Sequence, residues 1–238
     1  GGVQFMIKSV SLIIPFKSDK SEKEKLFTLL RGISNWKAVP NEIIIINTDQ
    51  DKLSFPSDIE LFTEQEKINF CIFHQERTYP GHARNIGICN ASNSLLAFLD
   101  TSTHPSNDWL LDGLHIINTY NCEGVWGKTN YQAEKFLSKI FRASTYGEKP
   151  IQTLPGSILH KNIFKKCGLF VESTRAGEDG DFMSRAKLHN VNVCESESFL
   201  NYDKLDKITF KEIIKKWYRN YFHAASMPYI RAHKDIYF

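Results

Sequence analysis

Val10-Ser11-Leu12-Ile13-Ile14-Pro15-Phe16 is an apolar, β-branched run with a charged segment after it, and it reads as a buried strand ending at Pro15. Glu22 to Trp36 then carries Leu26, Leu29, Leu30 and Ile33 at helical spacing, with charges on the other side. Asn41-Glu42 leads into Ile43-Ile44-Ile45-Ile46, a second strand buried on both faces. Strand, helix, strand at this spacing is the βαβ signature of a parallel sheet.

The pattern continues outward. Ile59 to Lys67 predicts a helix and Ile68 to Phe73 a third strand. Tyr79-Pro80-Gly81 is a turn opening a helix that carries Arg84 on its first turns, and Ser94 to Asp100 is a fourth strand with an Asp at its carboxyl end. Ligands of open α/β sheets collect at such ends, where Lys17, Asn47 and Asp100 all fall. Pro105 to Asn118 reads as a helix with Trp109 on its apolar face, Gly124 to Lys128 as a short strand, and Gln132 to Phe141 as a helix or ordered loop. Ile151 to Gly156 reads as a loop, Ser157 to His160 as a strand, and Lys161 to Cys167 as a short helix stopped by Gly168. Val191 to Val193 is a last edge strand, and Ile208 to Met227 a basic helix rich in aromatics.

The 238 residues suit one α/β domain, and 42% apolar content suits a sizeable core. A net charge of +3 is too small to argue for nucleic acid across the whole chain, and none is expected as a partner. Five scattered cysteines without a C-x-x-C pair argue against structural zinc and a disulfide framework, and fit the reducing cytoplasm. No run approaches the roughly 18 apolar residues that span a bilayer, and no signal peptide is recognisable. Gly1-Gly2 reads as a tag remnant within a lead-in over 1–9.

Chemistry concentrates in Gly177-Glu178-Asp179-Gly180-Asp181-Phe182-Met183-Ser184-Arg185. Clustered carboxylates repel unless a helix start, cations or shared protons offset them. The helix-like run from Phe182 makes Asp181 a candidate N-cap, so the cluster by itself is either a cap or a catalytic site.

Taken together the pieces resemble the inverting nucleotide-sugar glycosyltransferases of family two, which have the GT-A fold. The V-S-I-I-I-P opening is matched by Val10 to Pro15, and the Glu-led strand by Glu42 to Ile46. G-x-A-R-N-x-G is matched by Gly81 to Gly87, and the F-L-D strand end by Phe98 to Asp100, with Pro105 and Trp109-Leu110 after it. Gly156-Ser157, Lys161 and Gly168-Leu169-Phe170 match the next block, and Gly177 to Arg185 match G-E-D-x-D-F-x-x-R without a gap.

The resemblance implies an α/β, Rossmann-like, mainly parallel mixed sheet flanked by helices in a single domain. Residues 10–105 are the expected nucleotide-binding half, 106–200 the acceptor half, and 201–238 a basic, aromatic C-terminal helical extension. It also implies transfer of a sugar from a nucleotide diphosphate, uridine being the common base, to a glycan or lipid-linked acceptor in cell-surface polysaccharide synthesis. Asp179 is then the general base and Glu178 contacts or orients the acceptor. Pro15, Asn47, Arg84, Asp100 and Ser102 are expected on the nucleotide sugar, and Trp109, Gly156, Ser157 and Arg185 on the acceptor side; on the residues alone Trp109 reads as core and Arg185 as paired internally with a carboxylate.

Three departures stand out. The D-x-D at the fourth strand end, which would bind Mn²⁺ or Mg²⁺, reads Asp100-Thr101-Ser102, and a neutral hydroxyl is a poor ligand for a hard ion. Metal would rest on Asp100 with the diphosphate, waters and a His elsewhere; otherwise Arg219 and His223 of the C-terminal helix, beside Lys215 and Lys216, are candidates to meet the pyrophosphate. Asn47-Thr48-Asp49 replaces paired Asp residues, and Lys216-Trp217-Tyr218-Arg219 is not the Q-x-x-R-W of processive members, which favours one sugar per encounter. A degenerate, sugar- or nucleotide-binding protein is the alternative. A sugar nucleotidyltransferase would need a glycine-rich loop after the first strand, which Phe16 to Lys20 lacks. The tail from Lys207 to Lys234 fits either an interfacial helix at the anionic inner face of a membrane or a helix packing its aromatic side on the domain.

Overall fold

The computed structural model describes residues 9–17, 20–49, 52–202, 205 and 209–226. The proposed lead-in through residue 8 and the tail beyond Ser226, Tyr229 and Lys234 included, lie outside the described residues, as do the side chains of Lys20 and of His223 to Ser226. Among the described residues nine strands form one sheet: β1 Val10–Phe16, β2 Glu42–Asn47, β3 Asn69–His74, β4 Leu95–Phe98, β5 Thr103–His104, β6 Gly124–Tyr131, β7 Ile151–His160, β8 Val193–Cys194 and β9 Leu200–Tyr202. The helices are α1 Lys20–Ile33, α2 Ser57–Gln65, α3 Pro80–Asn90, α4 Trp109–Tyr120, α5 Phe136–Thr145, α6 Lys161–Cys167, α7 Glu178–Leu188 and α8 Phe210–Ser226.

The strand order is β3-β2-β1-β4-β7-β6-β9-β5, with β8 beside β6. β3, β2, β1 and β4 run parallel, and β7 enters antiparallel to both β4 and β6. This is the expected mixed, mainly parallel α/β sheet. Leu12, Ile14, Ile43 and Ile45 point into one core, and Ile13, Ile44 and Ile46 into the other, all fully buried. Alternation along a strand sends successive side chains to opposite faces. Each such side chain contributes about 1.5–3 kcal/mol by leaving water, which is why an unbroken Ile run belongs in the middle of the sheet.

Glu42 has a purpose that its position before the Ile run does not reveal. Its carboxylate accepts from Ser11 Oγ at 2.5 Å, Asn69 Nδ2 at 3.0 Å, and the Ser92 N and Oγ at 2.8 Å each. Ser11 Oγ in turn accepts from Asn93 Nδ2 at 3.1 Å. One buried carboxylate thus joins the amino ends of four parallel strands, at the end of the sheet away from their carboxyl termini.

Several expectations change. Ile151 to Gly156 is not a loop but the first part of β7. Gly156 takes φ +88°, and the β6–β7 register shifts between Val125 and Gly127, so the strand bends at Pro155-Gly156 and still pairs. Ser157 Oγ stitches the irregularity by accepting from Gly127 N at 2.8 Å and donating to Thr153 O at 3.0 Å. β5 and β9 have no sequence signal of their own and exist by pairing with each other and with β6. In α8, Ile213 is buried and Trp217 packs on Phe141 of α5 at 5.9 Å, donating to Thr145 Oγ1 at 3.1 Å. Phe210, Ile214, Tyr218, Tyr221 and Phe222 stay exposed, so the aromatic side is only partly packed on the domain.

Candidate active site

The G-x-A-R-N-x-G stretch builds the site from the inside. α3 starts with Pro80 at its first position, where a missing N–H costs nothing. Gly87 lies against β1; a Cβ there would sit 2.5 Å from Ile13 Cγ2. Gly81 lies against the Val171 carbonyl, where a Cβ has no room. Asn85 completes the docking as a backbone mimic: its Oδ1 accepts from Phe170 N at 3.0 Å, and its Nδ2 donates to Phe170 O and to Glu172 Oε1, both at 2.9 Å. The amide therefore holds the segment after Gly168 on α3.

That segment delivers α7. Gly177, at φ +89°, is its N-cap, and Glu178, Asp179 and Asp181 occupy the first turn, where the helix dipole favours negative charge. Asp181 is thus inside the helix, not its cap as expected. Phe182 is fully buried against Phe164 at 4.8 Å and Phe170 at 4.7 Å.

The three carboxylates have different fates. Glu178 is buried and accepts from Arg84 Nη1 at 2.7 Å; Arg84 Nη2 also reaches Asp100 Oδ1 at 3.4 Å. Arg84, stacked over the Phe170 ring at 5.8 Å, is held above the usual arginine range: burial alone would lower it, but Asp100, Glu178 and Asp179 prevail. Glu178 is held above the usual carboxylate range by burial and by Asp179, against the pull of Arg84. Asp181 accepts from Arg185 Nε at 2.9 Å. Asp179 is half-exposed, and its carboxylate accepts from Gly180 N at 2.9 Å. Among the described residues it forms no ion pair.

A cleft of about 620 Å³ opens at the carboxyl ends of the parallel strands. Of the expected nucleotide-side residues, Pro15, Arg84, Asp100 and Ser102 line it, and Arg219 reaches it from α8. Asn47 does not: its side chain is buried, with Oδ1 accepting from Asp49 N at 3.1 Å, and Thr48 takes the place on the wall. Trp109, Gly156 and Ser157 are buried too. Trp109 donates to Gly156 O at 3.0 Å and packs edge-on against Trp36 at 5.3 Å, so the three are scaffold and not acceptor surface. Arg185 is likewise consumed by Asp181, by Cys167 O and by Leu169 O at 2.8 Å, and it is not on the cleft wall. Glu178, buried on Arg84, does not present itself to an acceptor. His223 lies in α8, its side chain outside the described ones.

Residues that sequence reading missed complete the cleft: Arg77 and Tyr79 from the β3–α3 loop, Arg175 from the loop before α7, and Tyr202 from β9. The rule that ligands meet the carboxyl ends of strands could have found Arg77, a few residues past β3; nothing local marks Arg175 or Tyr202. Beside them Tyr131 stacks on Tyr146 at 3.8 Å and lies 5.1 Å from Tyr202. Burial pushes the Tyr131 phenol up, and Tyr146 up to about 12, so both remain neutral donors.

The donor set does not fit a divalent metal. Asp100 and Glu22 are the carboxylates on the cleft wall, and Glu22 is taken by the Thr101 hydroxyl and by Lys25 Nζ at 3.0 Å. Ser102 is neutral, and no group of three His, Cys, Asp or Glu side chains suited to a metal occurs among the described residues. Lys17, Arg77, Arg84, Arg175 and Arg219 give the same wall an excess of positive charge, which suits a diphosphate.

A mainly parallel sheet with its cleft at the strand ends and a carboxylate-led helix behind it is a GT-A-like architecture, and solved glycosyltransferase structures share the fold. The chain superposes on the crystal structure of S. aureus TarS 1-349 in complex with UDP-GlcNAc with a TM-score of 0.58, covering 92% of this chain and 67% of that one at 16% identity. It superposes on mannosyltransferase PcManGT from Pyrobaculum calidifontis, in complex with GDP-Man and Mn²⁺, with a TM-score of 0.57, covering 82% and 56% at 12% identity. In sequence it is 25% identical over 181 residues to Glycosyltransferase AglE of Haloferax volcanii, covering 73% of this chain. The chain spans 55% of the length of that relative. No family model matches it. No described helix is long and apolar enough to cross a membrane.

Proposed function

We propose that this chain is an inverting glycosyltransferase of family two, moving one sugar from a nucleotide diphosphate sugar to a hydroxyl of a glycan or lipid-linked acceptor. One observation carries the reading: of the three carboxylates of α7, two are neutralised by Arg84 and Arg185, while Asp179 is half-exposed and forms no ion pair with a described residue. A carboxylate left outside the ion pairs of its helix, beside a cationic cleft, suits a general base, because its oxygens are not committed to a guanidinium. Its task is to take the proton from the acceptor hydroxyl as that oxygen attacks the anomeric carbon. Displacement from the face opposite the diphosphate inverts that carbon.

The arginine and lysine side chains of the cleft meet the diphosphate as it leaves, where fixed charge is worth most. A uridine donor is the favoured choice because TarS is seen with UDP-GlcNAc. Residues 10–105 then serve the nucleotide and 106–200 the acceptor, with the extension over 201–238 adding Arg219 to the cleft. The exposed Phe210, Ile214 and Tyr218, next to Lys211 and Lys215 on α8, support contact with an anionic membrane at its cytoplasmic face, where a lipid-linked acceptor would lie. Ser102 favours a second reading, a protein that binds nucleotide sugars without transferring them. Incubation with a panel of nucleotide sugars and acceptors decides: a glycosylated product of inverted configuration supports transfer, and tight binding with no product in any condition supports the second reading.

A further inference from the structure

The cleft lacks a metal cradle, yet its cations exceed what its own carboxylates can neutralise. Arg84 is committed to Glu178 and Asp100. Arg77, Arg175 and Arg219 form no ion pair with any described residue, and all three line the same cavity. Arg219 is the most telling. Its Nε is buried with no hydrogen-bond partner, an arrangement that is costly unless a ligand supplies the acceptor. Burial, and then the charge of Arg175 on the same wall, hold Arg219 below the ordinary arginine range against the opposing pull of Tyr146, Glu178 and Tyr202. The helix that carries Arg219 is not free to swing away, since Trp217 and Ile213 fasten it to α5.

Resting on the nucleotide-sugar reading above, we propose that Arg175 and Arg219, backed by Arg77, grip the donor's diphosphate in place of a divalent ion, so that binding and transfer proceed without metal. A guanidinium offers paired N–H donors in a plane that matches two phosphate oxygens, which a neutral Ser102 with a lone Asp100 cannot replace by holding an ion. In the transfer step the bond from the anomeric carbon to the diphosphate oxygen breaks, and its electron pair stays on that oxygen. The acceptor oxygen forms the new bond to carbon, and its proton goes to Asp179. The charge added to the leaving nucleoside diphosphate is met by the two guanidinium groups, with no change at any other centre.

Titration calorimetry of the whole chain with inorganic pyrophosphate, UDP and GDP, each in EDTA and in Mn²⁺, tests this. The expected result is a nucleoside diphosphate affinity that changes less than about threefold between EDTA and Mn²⁺. Arg175→Gln and Arg219→Gln should each weaken it about tenfold while uridine binding stays as it was. Arg175 is exposed, so its variant keeps the fold and remains informative even if Arg219→Gln does not. Binding that appears only with Mn²⁺, or an unchanged affinity in Arg175→Gln, overturns the clamp while leaving the donor reading intact. Metal-free capture of pyrophosphate through both arginines, with no capture of either nucleotide, supports the clamp and overturns the donor reading.

Discussion

Arg84 Nη1 and Glu178 Oε1 lie 2.7 Å apart across 94 residues of chain, and both side chains are buried. This pair joins the nucleotide-side helix α3 to the helix that carries the proposed base, and Asp179 is the carboxylate of that helix with no ion pair among the described residues. Removing one member strands the other's charge in the interior. Arg84→Met should therefore cost about 3–5 kcal/mol in urea unfolding, and the double variant Arg84→Met, Glu178→Gln distinctly less than the sum of the two single changes. Additive losses would show that the two groups act separately.

Asp179→Asn keeps shape and hydrogen bonding but cannot accept the proton. Transfer should fall by about 10²–10⁴-fold, with nucleotide diphosphate affinity unchanged by calorimetry. Turnover at the level of the unaltered chain would remove Asp179 as the base.

Glu42 gives a pH signature far from the site. Burial pushes its carboxyl up, but the hydrogen bonds from Ser11, Ser92 and Asn69 outweigh it, and the folded pKa lies below the ordinary value. A depressed carboxylate contributes stability that is present above its unfolded value, about 4.3, and lost as pH falls through the folded one. Glu42→Gln should cost about 1–3 kcal/mol at neutral pH and should flatten the acid limb below about pH 4.5, read from urea midpoints across pH. A variant with the same acid limb as the parent would place that sensitivity elsewhere.

Glycine spacing makes the fourth case. Gly87→Ala pushes a methyl group against Ile13 Cγ2, a side-chain clash inside the core, and should cost about 1–3 kcal/mol with nucleotide binding kept. Gly81→Ala meets the backbone carbonyl of Val171, which cannot turn aside. It should shift the loop carrying Arg175 and weaken nucleotide diphosphate binding as well as stability. Equal effects of the two substitutions on binding would refute the distinction.

The sequence by itself determined the sheet's parallel half, because Val10 to Phe16 and Ile43 to Ile46 are too apolar to lie anywhere but between two layers. It also marked Asp100, since strand ends are where an open sheet takes ligands, and the Glu178–Asp181 cluster by its repulsion, while Arg84 entered through the family resemblance. It could not say which carboxylate was free. That depended on where Arg84 and Arg185 point, and salt-bridge partners 94 residues apart leave no local pattern. Gly156, Ser157 and Trp109 looked like site residues and proved to be the stitching of a bent strand, because a bulge depends on its partner's register. Tyr202 and Arg219 reach the cleft on elements whose positions follow from packing against β6 and α5, and Arg175 on the segment that Asn85 holds on α3. Only the tertiary structure assembles the cations that face a diphosphate, because electrostatics acts through space and carries no memory of sequence distance.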